Sequence, residues 1–98
     1  MTNKKLNRIH LLNAFGCECQ VCGYKDSSSA LEFHHRYPEK KEIEINKFAN
    51  NNKLTYEQIR EIEKCVVLCS NCHKKAHIGL LDEEIEEIPE IELFDIMF

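Results

Sequence analysis

The sequence predicts a small α+β domain stapled by a metal ion, on three observations. Two C-x-x-C pairs, Cys19 with Cys22 in CQVCG and Cys69 with Cys72 in CSNC, are separated by 46 residues. Between and before the pairs lie two strand-length stretches, ALEFHH and CVVLC. Helical spacing opens the chain, recurs ahead of CVVLC and returns after it. A chain of 98 residues buries so little apolar surface that a staple of this kind is expected.

Each element has its own signal. In KKLNRIHLLNAF, Leu6, Ile9, Leu12 and either Leu11 or Phe15 fall near helical spacing, and Gly16 follows where a helix would stop. The spacing predicts a first helix over residues 3–15. The first cysteine knuckle and the polar turn KDSSS come next. In ALEFHH, Leu31 and Phe33 alternate with Glu32 and His34, the period of a strand, and Pro38 ends it. Residues 39–53 are charged and rich in asparagine, with Ile43, Ile45 and Phe48 as the apolar anchors, and read as an irregular excursion.

LTYEQIREIEK reads as an inserted helix. Thr55 caps it, Gln58 completes a capping box, and Ile59 and Ile62 share a face. CVVLC is a β-branched second strand. SNCHKKAHIGLL reads as a helix opened by Ser70 or Asn71, which Gly79 weakens or ends. The rest, DEEIEEIPEIELFDIMF, spaces apolar residues through an acidic background broken by Pro89. The expected organisation is one domain over residues 1–81 and an acidic tail over 82–98.

Charge is unevenly divided. The net charge is −4, but residues 1–77 carry +4 and residues 78–98 carry −8. The first part is therefore compatible with a nucleic-acid partner although the whole chain is acidic. The apolar runs are too short to span a membrane, and the N-terminus has no signal-peptide core. A reducing, cytoplasmic compartment is expected, where paired C-x-x-C spacings point to zinc rather than to disulfides.

Zinc takes four thiolates tetrahedrally, and a two-residue spacing lets one tight turn present two of them. Cys19, Cys22, Cys69 and Cys72 would thus hold a structural Zn²⁺, with Cys17 an alternative to Cys19; Cys17 and Cys65 otherwise read as ordinary core or surface thiols. The long insertion between the pairs adds little loop-closure entropy. With all four positions filled by sulfur, this ion has none open to a substrate. The histidines remain for other work: His73 and His77 are four apart on one helical face, and His34 and His35 close the first strand.

Taken in order, CQVCG, LEFHHRYP and CVVLCSNCHKKAH resemble the HNH endonucleases, whose core is the ββα-metal finger. The resemblance covers about residues 16–77 and is nearest to small phage and bacterial members in which an inserted helix ending in EKC precedes the second strand. It implies that His34, His73 and His77 ligate a catalytic divalent metal, Mg²⁺ or another, and that His35 is the general base. The products it implies carry a 5′ phosphate and a 3′ hydroxyl. Many members carry an asparagine five residues before the knuckle cysteine, bracing the loop of the general base. Here that position is Lys64, so the brace falls to another residue, with Asn46 or Asn50 to Asn52 as candidates.

Lys4, Lys5, Arg8, Arg36, Lys40, Lys41, Lys74 and Lys75 are available to phosphates; Arg36 and Lys74 adjoin the expected site. The expected partner is double-stranded DNA, and the expected activity is metal-dependent hydrolysis of its phosphodiesters. The acidic tail leaves three readings: packing through Ile85, Ile88, Ile91, Leu93 and Phe94, an arm over the basic site, or an interface for another protein. A noncatalytic binding module whose tail engages a protein partner is the competing function.

Overall fold

The computed structural model describes residues 8–45 and 54–93. In chain order these form α1 (Arg8–Ala14), β1 (Leu31–His35), α2 (Tyr56–Glu63), β2 (Cys65–Cys69), α3 (Ser70–His77) and α4 (Asp82–Glu87), with single 3-10 turns at Ser28–Ala30 and Pro38–Lys40. Leu6, Phe48, Asn46, Asn50 to Asn52 and the terminal apolar residues Phe94, Ile96, Met97 and Phe98 lie outside the described residues. So do Lys4 and Lys5.

The two strands pair antiparallel, with Leu31 opposite Cys69, Phe33 opposite Val67 and His35 opposite Cys65. All five residues of β2 are buried, which explains why CVVLC is apolar without alternation: both of its faces are covered. Its outer edge is also engaged. The Gln20 amide donates to the Val67 carbonyl at 2.9 Å, and Gln20 Oε1 accepts from the Val67 amide at 2.7 Å. The first knuckle is thereby fastened alongside β2.

The inserted helix α2 starts as its sequence requires. Thr55 Oγ1 accepts from the Gln58 amide at 3.1 Å, and Gln58 Oε1 from the Thr55 amide at 3.0 Å, closing the capping box. Ile59 and Ile62 enter the core. Helix α3 opens differently from the expectation of Ser70 or Asn71. Its N-cap is Cys69, whose sulfur accepts from the Cys72 amide at 3.5 Å, so the knuckle turn and the helix cap are one structure. Gly79, at φ +79°, ends α3. The Leu80 amide returns to the Lys75 carbonyl at 3.0 Å and the Gly79 amide to the Ala76 carbonyl at 3.1 Å. This paired closure needs a left-handed residue, and glycine supplies it without strain.

Beyond Gly79 the acidic segment packs onto the domain. It forms α4, with Asp82, Glu83 and Glu84 in the first turn, where the helix dipole favours negative charge. Leu81, Ile85, Ile88 and Leu93 belong to the same buried cluster as Leu11, Leu31 and Val66 to Leu68. Among the three readings of the tail, packing describes this stretch as far as Leu93.

Candidate metal centres and catalytic cleft

The sulfurs of Cys19, Cys22, Cys69 and Cys72 lie within 4.8 Å of one another. Cys22 Sγ and Cys69 Sγ are 3.7 Å apart, close to the roughly 3.8 Å edge of a tetrahedron built on Zn–S bonds of about 2.3 Å. Burial opposes ionisation of Cys19, but amides of Cys22, Cys69 and Val21 and the Cys22 thiol outweigh it and bring that thiol down to about 6. Cys72 is pushed the other way, by burial and by the three neighbouring sulfurs. Packed sulfurs that resist joint ionisation are the donor set a divalent cation stabilises. The four cysteines could therefore bind a metal such as zinc.

The remaining cysteines stand apart. Cys17, with φ +54°, packs against the core outside the cluster, so Cys19 rather than Cys17 is the clustered thiol. Cys65, the first residue of β2, is buried with its thiol 3.7 Å from the Glu61 carbonyl, and burial pushes that thiol up to about 12, with Glu61 adding to the effect.

A second cluster is made of nitrogen. Ligand atoms of His34, His73 and His77 also lie within 4.8 Å of one another. The ring of His34 stands 5.1 Å from that of His73 and 5.5 Å from that of His77, and the two helical rings are 4.6 Å apart. Helical spacing stacks His73 and His77 on one side of α3, and β1 brings His34 against them. Burial and then His73, His77 and His35 hold the His34 imidazole down to about 4, which keeps it neutral and ready to ligate at neutral pH. Glu32, two residues earlier on the same side of β1, accepts a hydrogen bond from His73 Nδ1 at 2.7 Å. That carboxylate leaves Nε2 of His73 as its free ligand atom.

His35 takes a different partner, as the pleat of the strand requires. Its Nε2 is 2.8 Å from Oε2 of Glu61 on α2, and both side chains are buried. Burial opposes the Glu61 charge, but Lys64, the amides of Glu42 and Ile43, and His35 together hold its carboxyl down to about 2. Although their partners differ, His34 and His35 open onto the same cleft at the end of β1. Its volume is about 250 Å³, and His73, His77, Phe33, Pro38, Lys41, Glu44 and Ile45 complete the lining.

Lys64 occupies the position where an asparagine was expected, and it does brace a loop. Its Nζ donates to the Lys40 carbonyl at 3.2 Å, to Glu42 Oε1 at 2.7 Å and to Glu61 Oε1 at 2.9 Å. Glu61 and Lys64 thus secure the segment after β1, and neither was identified from sequence as a brace.

The cations expected to meet phosphates are found in different settings. Arg36 Nη1 donates to the Ile85 carbonyl at 2.7 Å and Nη2 to the Pro89 carbonyl at 3.5 Å, tying β1 to the end of α4. Arg8 donates to the carbonyls of Ser28 and Leu31. Lys74 and Lys75 are exposed on α3, and Lys41 lines the cleft while pairing with Glu44. On the other side of His34 and His77 a second cleft is walled by Asp82 and Glu86 of α4. Glu86 accepts a hydrogen bond from the Tyr37 hydroxyl at 3.2 Å.

Two strands followed by a helix thus carry thiols at the knuckles and imidazoles at the strand end and on the helix. The HNH endonuclease model matches residues 19–78. The chain belongs to the HNH endonuclease family. Comparison with curated proteins and with solved structures returns no match. The HNH match spans both knuckles, both strands, the inserted helix and all of α3, so the two clusters and His35 fall inside it. An HNH domain is a nuclease-type domain, and the family commonly binds DNA. No described helix is long and apolar enough to cross a membrane.

Proposed function

We propose that this HNH protein is a metal-dependent endonuclease that hydrolyses DNA phosphodiesters, with His35 as general base. The observation that carries the reading is the shared cleft: a histidine with one ring nitrogen committed to a buried carboxylate opens beside three histidines whose nitrogens converge. A divalent ion such as Mg²⁺, held by His34, His73 and His77, would neutralise the scissile phosphate and stabilise the leaving 3′ oxygen. His35 accepts the proton of the attacking water through its uncommitted nitrogen. Lys41 and Lys74 contact phosphates flanking the scissile one, while Arg36 serves chiefly to hold α4. Structural Zn²⁺ in the four-cysteine site fixes the start of α3 and hence the two ligands on it.

A noncatalytic role has one observation in its favour: α4 places Asp82 and Glu86 beside His34 and His77, an acidic wall suited to a protein partner. Plasmid nicking with Mg²⁺, Mn²⁺ or Ni²⁺ separates the readings. The native chain is expected to nick and His35→Ala to lose at least about 100-fold in rate while keeping its fold and metal content. No cleavage by native protein carrying both metals, or equal cleavage by His35→Ala, would overturn the proposal.

A further inference from the structure

Glu61 is buried, 2% exposed, and sits on the inserted helix rather than on the strands and helix that carry the clusters. A group like this is costly to bury unless every lone pair is used. Here the lone pairs are used in a particular way. Oε2 lies 2.8 Å from His35 Nε2 and accepts from the amides of Glu42 at 3.0 Å and Ile43 at 3.2 Å. Oε1 accepts from Lys64 Nζ at 2.9 Å. An ionised carboxylate can only accept, and the two amides can only donate. The hydrogen between His35 and Glu61 must therefore sit on Nε2.

We propose that Glu61 is a positioning residue, holding His35 in the tautomer that leaves Nδ1 as the basic nitrogen and locking the segment after β1 in place with the same oxygen. Its effect on cleavage rests on His35 being the base. The two tasks belong together because the segment forms the far wall of the cleft: Pro38, Lys41, Glu44 and Ile45 line it, and Glu42 and Ile43 are the residues whose amides Glu61 binds. Lys64 adds a second tie to the same segment through the Lys40 carbonyl. A buried anchor with no chemical role would need only the amides and the lysine; it would not need to spend the shared oxygen on an imidazole that opens onto the cleft.

The first test needs no variant. In ¹⁵N–¹H correlation spectra of the native protein, the His35 imidazole is expected to carry its proton on Nε2 with Nδ1 unprotonated; a proton on Nδ1 would overturn the proposal. The second test uses Glu61→Gln, which keeps the shape but brings an amide group that can donate. Its kcat for plasmid nicking is expected to fall by about 100-fold or more, with KM for DNA and metal per chain unchanged, and its His35 signal to lose the single Nε2–H form. A folded Glu61→Gln protein with native kcat, or one whose loss lies in KM alone, would overturn it as well. Should native protein fail to nick DNA at all, the nuclease reading fails, and the spectrum of His35 still decides the lock. Should Glu61→Gln fail to fold, the native spectrum decides it alone.

Discussion

Arg36 offers the sharpest test, because sequence position and structure give it different work. Placed next to His35, it was expected to meet a phosphate, yet its guanidinium lies on the carbonyls of Ile85 and Pro89 at 2.7 and 3.5 Å. Replacing it with alanine removes a charged donor from the end of α4. The shorter bond is worth about 2 kcal/mol, within the range for hydrogen bonds to charged groups; the longer one is near the limit of useful geometry and adds little. In a domain of this size about 2 kcal/mol moves the melting temperature by roughly 8–16 °C. Thermal unfolding of the zinc-loaded protein measures this directly. Fluorescence anisotropy on labelled duplex DNA, repeated across a salt series, measures the other possibility, since each phosphate contact contributes about 0.9 to the slope of log affinity against log salt. Arg36→Ala is expected to melt lower with its salt slope unchanged. Lys41→Ala is expected to lower the slope by about one contact. An Arg36→Ala protein that keeps its melting temperature and loses a unit of slope would refute the assignment of Arg36 to α4.

Three other outcomes are expected. Cys69→Ser removes a cluster thiol while its hydroxyl can still cap α3, so it should lose bound zinc and melt below the native protein; an unchanged zinc content by elemental analysis would undo the four-cysteine site. A chain ending at Leu81 discards Ile85, Ile88 and Leu93 from the core. At roughly 1.5–3 kcal/mol for each buried aliphatic side chain, the loss rivals the whole stability of a small domain, and the truncated protein should lack cooperative unfolding; a native-like transition would contradict the packing of α4. Glu32→Ala should weaken Mn²⁺ or Ni²⁺ binding at the histidine cluster by about 10- to 100-fold in calorimetric titration, leaving zinc untouched, and unaltered affinity would remove Glu32 from that role.

Much of this architecture was readable from local rules. The capping box at Thr55, the alternation through Leu31 to His34, the stop at Gly79 and the i,i+4 pair His73 and His77 each depend on a few neighbouring residues, and all appear where those rules put them. Glu32 was also within reach: it shares a strand face with His34 by simple period-two counting, so a carboxylate near the ligand cluster followed once β1 and α3 were set side by side. Glu61 was not. Its meeting with His35 spans 26 residues and depends on how α2 docks, which no local pattern states; beside Ile59 and Ile62 it reads as an ordinary polar position. Lys64 looked like a lost asparagine because only its position was known, whereas its reach to Lys40, Glu42 and Glu61 is a property of the folded segment. The tail stayed open for a related reason. Its apolar residues suit packing, an arm or an interface alike, and the burial of Ile85, Ile88 and Leu93 depends on contacts with the folded domain.

Helix α3 is capped by a thiol and ends at an imidazole, with Cys72 and His73 adjacent along it. A single rod eight residues long is thus anchored at one tip by sulfur and offers nitrogen toward the other. On the proposed reading, an ion held by the thiols would set the rod's direction, and a second ion at the imidazoles would meet side chains whose aim is already determined. A chelator strong enough to extract the first ion should dismantle both sites, while one that strips only the second should leave a folded, reloadable protein.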